Sequence, residues 1–120
     1  MKQETRQAVY DKYNGHCAYC GTTIELRKMQ VDHFWPKYLA HWEPNLDNNR
    51  FDNLMPSCAK CNNHKSGMRP KTFRREVSLQ VKRLMKNTQF CRALRYGQVK
   101  ITKSPIVFYF ELFNSNNKGD

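Results

Sequence analysis

Two Cys-x-x-Cys pairs, Cys17/Cys20 and Cys58/Cys61, constrain this chain more than any other feature. Two such knuckles, far apart in sequence, supply the four thiolates of a tetrahedral structural Zn²⁺ site. A redox dithiol would need one pair only. A chain of 120 residues buries a modest core, so a metal cross-link is the stabiliser its size calls for. Paired thiols also suit a reducing compartment better than disulfides do. Cys91 stands alone on a predicted helix and reads as a small core residue. His16, beside the first knuckle, is expected at the surface, because four cysteines already complete the donor set.

The knuckles organise the elements between them. Residues 2–13 read as a helix with Val9 and Tyr13 stacked at i and i+4, stopped by Asn14-Gly15. Residues 25–33 suggest an extended hairpin arm ending at Asp32-His33, and Leu54-Met55-Pro56 suits a second strand. Residues 59–66 follow as a short helix stopped by Gly67. Between the strands a long irregular stretch, residues 34–52, holds Phe34, Trp35 and Trp42 and an Asn/Asp-rich run, and is expected to be a self-packed loop with its aromatics in the core. Two strands and a helix clamped by zinc bring Asp32, His33 and Asn62 onto one surface. The fold class is α+β, with a ββα-metal core.

The formal net charge of +11 argues for a polyanionic partner. Residues 60–103 carry 13 of the 21 Lys and Arg and one acid, Glu76, a net +12, while the remainder nets −1. A face kept for solubility would interleave both signs. In residues 71–86, Phe73, Val77, Val81 and Leu84 share one helical face, with Arg75, Lys82 and Lys86 opposite. Leu79 and Met85 fall off that stripe. A second helix, 89–96, ends at Gly97. Residues 98–103 and 106–113 read as a C-terminal strand pair, and 114–120 as a disordered tail. No apolar run has membrane-span length, and the N-terminus lacks a signal peptide's hydrophobic stretch, so a cytoplasmic protein is expected.

Cys17-x-x-Cys20, Asp32-His33-x-x-Pro36, Asn53-Leu54 and Cys58-x-x-Cys61-Asn62-x-x-Lys65-Ser66-Gly67, in this order and spacing, resemble the HNH endonuclease family. These are the ββα-metal or His-Me finger nucleases of the type with a four-cysteine zinc site. The third motif letter is Asn62 here, where many members have His. The resemblance implies a metal-dependent endonuclease that hydrolyses DNA, double-stranded for preference, leaving 5′-phosphate and 3′-hydroxyl ends. His33 is then the general base and Asn53 the brace that orients its ring. Asp32 and Asn62 are oxygen ligands of Mg²⁺ or Mn²⁺, with His64 a further candidate ligand. Lys65, on the face of Asn62, is expected to contact a phosphate, and Arg69, Lys71, Arg74, Arg75, Lys82 and Lys86 to grip the nucleic-acid backbone.

Residues 1–113 would form one nuclease domain: an N-terminal helix over 1–16, the zinc-bound core over 17–67 and a basic extension over 68–113. A homodimer or an accessory protein is the expected route to cutting both strands, and a bacterial or phage-infected cell the expected setting. The competing reading is a catalytically silent, zinc-stabilised nucleic-acid-binding module. Retention of Asp32-His33 with Asn62 argues against it.

Overall fold

A computed structural model describes residues 1–43, 45 and 47–117. The chain divides into two compact units, residues 1–70 with 107–120, and residues 71–106.

The first unit is built on a two-stranded antiparallel sheet. Strand β1 (Gln30–His33) pairs with β2 (Leu54–Ser57) in the register Val31↔Pro56, Asp32↔Met55 and His33↔Leu54. Helix α1 (Gln3–Asp11) places Val9 in a core with Met29 and Leu54, flanked by Tyr10, Ile24, Leu26 and Val31. Burial of that aliphatic set is the hydrophobic contribution to the sheet. The expected arm over 25–33 is strand only at its end, because Leu26–Lys28 closes into a 3₁₀ turn. Two interactions fix that turn: the Arg6 guanidinium donates to the carbonyls of Leu26 and Met29, both at 2.7 Å.

The stretch over 34–52 is less irregular than its composition suggests. It contains α2 (Leu39–Trp42), and a 3₁₀ turn, Phe51–Asn53, leads from it into β2. Trp35 and Trp42 do not join the expected core, being 46% and 74% exposed, whereas Phe34 is half-buried and packs edge-on against Phe110. Polar side chains, Asn48 and Asn53 among them, hold the loop instead. Helix α3 (Ala59–Lys65) begins at the second knuckle and ends at Ser66, whose φ of 48° makes it, rather than Gly67, the stop.

The C-terminal strand pair is not formed. No strand occurs among the described residues 98–113, and Tyr109–Asn117 is a helix, α7. The reason is tertiary. The amides of Tyr109 and Phe110 donate to the carbonyls of Tyr19 and Ala18 at 3.0 and 2.9 Å, so a β ladder cannot use them. Glu111 Oε1 accepts from the Phe108 amide, as in half of a capping box. Phe108 and Phe110 pack edge-on against Tyr19, and Tyr109 stacks on His16. Gly21 is required by that docking: its φ is +80° and a Cβ there would come within 2.8 Å of the Tyr109 ring. Residues 114–117 of the expected tail continue the helix, and 118–120 lie outside the described residues.

In the second unit the single helix expected over 71–86 is two. Helix α4 (Pro70–Ser78) and α5 (Gln80–Leu84) are broken at Leu79. Phe73 is buried, but Val81 and Leu84 are 41% and 44% exposed, so the apolar stripe does not continue as core. Helix α6 (Thr88–Arg95) is capped by Asn87, whose side chain accepts from the Phe90 amide. Cys91, half-buried, donates its thiol to the Met85 carbonyl. No helix among the described residues is long and apolar enough to cross a membrane.

Candidate active site

The two knuckles meet. The Sγ atoms of Cys17, Cys20, Cys58 and Cys61 all lie within 4.8 Å of one another. Four thiolates held about 2.3 Å from a tetrahedral zinc stand about 3.8 Å apart. Cys20 and Cys58 meet that spacing, at 3.8 Å. The hydrogen bond from the Cys61 thiol, the largest influence on Cys17, helps to pull Cys17 down to about 4, and the same contact pushes Cys61 above the ordinary thiol range. Cys58 caps α3, its Sγ accepting from the Cys61 amide at 3.4 Å, so the positive end of the helix faces the sulfurs. Geometry and charge both fit a thiolate metal such as zinc. The cluster also docks on the sheet, through the Ala18 amide to the Pro56 carbonyl at 2.8 Å.

Asp32, His33 and Asn62 converge on one cavity of about 310 Å³, whose wall includes Ser66 and Gly67 at the end of α3. Asp32 comes from the inner side of β1 and is 5% exposed. Its Oδ2 accepts from the Tyr19 hydroxyl at 2.5 Å and lies 3.0 Å from Lys65 Nζ. Burial first, then the adjacent Asp32 charge, pushes the Tyr19 phenol far above its usual range, so it stays a donor.

Lys65 overturns its expected role. It is fully buried, and its ammonium bridges Asp32 to the His33 carbonyl at 3.0 Å, out of reach of any phosphate. A lysine stem can cross a small core when its head finds a carboxylate. His64, half-buried on α3, is not among the residues lining the cavity.

His33 stands between that cavity and a second of about 400 Å³, which Lys2, Lys37 and Asn49 help to line. Its Nε2 is 2.9 Å from Asn49 Oδ1. Asn53 is buried and braces the loop on both sides. Its Oδ1 accepts from the Trp35 amide at 2.8 Å, and its Nδ2 donates to the carbonyls of Trp35 at 3.1 Å and Asn48 at 2.7 Å. Asn48 is buried too, and donates to the carbonyls of Pro36 and Lys37. Sequence reasoning missed Tyr19, Asn48 and Asn49. The Asn-rich run at 45–49 was the one signal for the last two, and nothing marked Tyr19.

Of the expected nucleic-acid contacts, Arg69, Lys71, Arg75, Lys82 and Lys86 are exposed. Arg74 is half-buried and donates to the Ile106 carbonyl at 2.7 Å. Glu76, the one acid beside ten Lys and Arg in the sequence of residues 71–106, pairs with Arg83.

Comparison with known proteins matches residues 17–67 to the HNH endonuclease family model. A similar solved structure is the Type II-C Cas9 enzyme from Actinomyces naeslundii, at 29% identity and a TM-score of 0.50, over 61% of this chain and 7% of that one. The chain thus spans a small fraction of that enzyme's length. No curated protein matches.

Proposed function

We propose, from the premise that residues 17–67 are an HNH endonuclease domain, that the chain hydrolyses phosphodiester bonds of DNA, double-stranded for preference. His33 is the general base, beside a divalent cation held by Asp32 and Asn62. The observation that carries this reading is the convergence of the three side chains on one cavity. The donor set suits a hard cation, because a carboxylate and a carboxamide both offer oxygen. Both contacts of Asp32 engage Oδ2, which leaves Oδ1 for a ligand bond. Mg²⁺ or Mn²⁺ bound there supplies positive charge against the phosphate and the departing 3′-oxygen.

The remaining steps belong to the chain's own residues. Asn49 Oδ1 accepts a hydrogen bond from His33 Nε2, so the ring proton sits on that nitrogen and Nδ1 is the basic atom that takes a proton from water. Asn53 holds the loop that carries Asn49. Lys65 fixes the Asp32 carboxylate and ties the end of β1 to α3. Arg69, Lys71, Arg75, Lys82 and Lys86 bind backbone phosphates, which orients DNA without reading its sequence. One such site cuts one strand, and cutting both takes a second copy or a partner protein.

The test is an ion titration of plasmid nicking by wild type and Asn62→Ala. The variant is expected to need at least about tenfold more Mg²⁺ for half-maximal rate, or to lose the activity. Unchanged ion dependence would remove Asn62 from the cation site.

A further inference from the structure

Helix α6 carries a polar cavity that the proposed cleavage chemistry does not use. It measures about 520 Å³ and is lined by Gln89, Arg92, Ala93, Tyr96 and Gln98. Residues 89, 92, 93 and 96 recur at i, i+3, i+4 and i+7 and so share one helical face. Gly97, at a φ of +73°, reverses the chain, and the Gln98 amide donates to the Ala93 carbonyl at 2.9 Å, which folds Gln98 back beside that face. The small side chain of Ala93 sits among four long ones.

Tyr96 is 79% exposed. Among the described residues it has no ring partner, and the side chains of Gln89, Arg92 and Gln98 make no hydrogen bond or ion pair. A bare aromatic ring beside a guanidinium and two carboxamides combines a stacking platform, a phosphate or base-edge donor, and groups that both donate and accept. Those are the elements that hold an unpaired nucleobase. The surrounding unit supplies charge complementarity, with ten Lys and Arg against one acid over residues 71–106.

We propose that this face of α6 binds an unpaired nucleotide of a single-stranded nucleic acid, the base stacked on Tyr96 and its backbone held by Arg92. In a duplex the base faces are already covered by their neighbours, so the ring engages only a base that has left the stack. The site rests on the reading of nucleic acid as substrate. It implies that the chain discriminates single strands from duplex at a place remote in sequence from the cleavage motif.

The experiment measures binding of a fluorescent single-stranded oligonucleotide and of its duplex to the zinc-loaded full chain in the His33→Ala background, at fixed salt. Tyr96→Ala is expected to weaken single-strand binding by roughly 5- to 150-fold. Tyr96→Phe keeps the ring and should stay within about twofold of the parent, and duplex affinity should not move. Tyr96 is exposed, so the alanine variant retains its fold, which circular dichroism verifies. Unchanged single-strand binding in Tyr96→Ala, equal losses for both strand forms, or failure of Tyr96→Phe to rescue would each overturn the site. Plasmid cleavage by the wild-type chain, run in parallel, decides the nuclease reading separately, because it depends on His33 and not on the outcome at Tyr96.

Discussion

Lys65 has no exposed surface, and its ammonium has two oxygens within 3.0 Å. Removing one partner of a buried pair leaves the other charge uncompensated, a loss of about 3–5 kcal/mol, whereas an exposed pair contributes about 0–1 kcal/mol. Lys65→Met, close in length, is therefore expected to lower stability by about 3–5 kcal/mol in urea unfolding of the zinc-loaded protein. A loss below about 1 kcal/mol would place the lysine among exposed phosphate contacts after all. The helical spacing from Asn62 suggested a phosphate contact for Lys65, which is instead buried against Asp32. What lies under that face was not legible, because the carboxylate it meets comes from β1, across a loop whose path no local pattern encodes. Tyr19 escaped notice for the same reason: its position between Cys17 and Cys20 says nothing of a bond to Asp32.

At the scale of elements, the cysteine spacing made the knuckle pair readable, since it is a local pattern with one geometric solution. The C-terminal run Ile106-Val107-Phe108-Tyr109-Phe110 misled, because strand and helix propensities differ by less than docking contributes. Its amides and rings find the first knuckle and form α7 there. The four-cysteine cluster thus underlies α7 as well as the sheet. Structural zinc contributes about 10–16 kcal/mol in small domains at neutral pH, against a total stability of about 5–15 kcal/mol. Stripping the metal with a strong thiolate-competing chelator should therefore release one zinc per chain and abolish the near-ultraviolet signal of the aromatics around Tyr19. An unchanged spectrum after release would mean that the aromatic packing holds without the metal.

At the scale of the whole molecule, two properties stood out in the sequence: the concentration of positive charge in residues 60–103 and the order of the HNH motifs. Both concern what the chain meets rather than how each segment folds. On the proposed reading, that charge would give association with polyanions at any sequence and make it salt-dependent. The motifs bring Asp32, His33 and Asn62 to one cavity, and the proposed cleavage rests on that convergence.

Plasmid cleavage by the zinc-loaded protein beside His33→Ala tests whether this cavity cuts DNA. Mg²⁺ or Mn²⁺ is supplied, or EDTA at a dose that leaves the thiolate zinc bound. Nicking or linearisation is expected with either ion, none in EDTA, and a loss of at least about 100-fold in His33→Ala with fold and DNA binding intact. Cleavage undiminished in the variant, or binding without cleavage under every ion and substrate form, would contradict the proposed cleavage. The second outcome would make the chain a silent nucleic-acid-binding module.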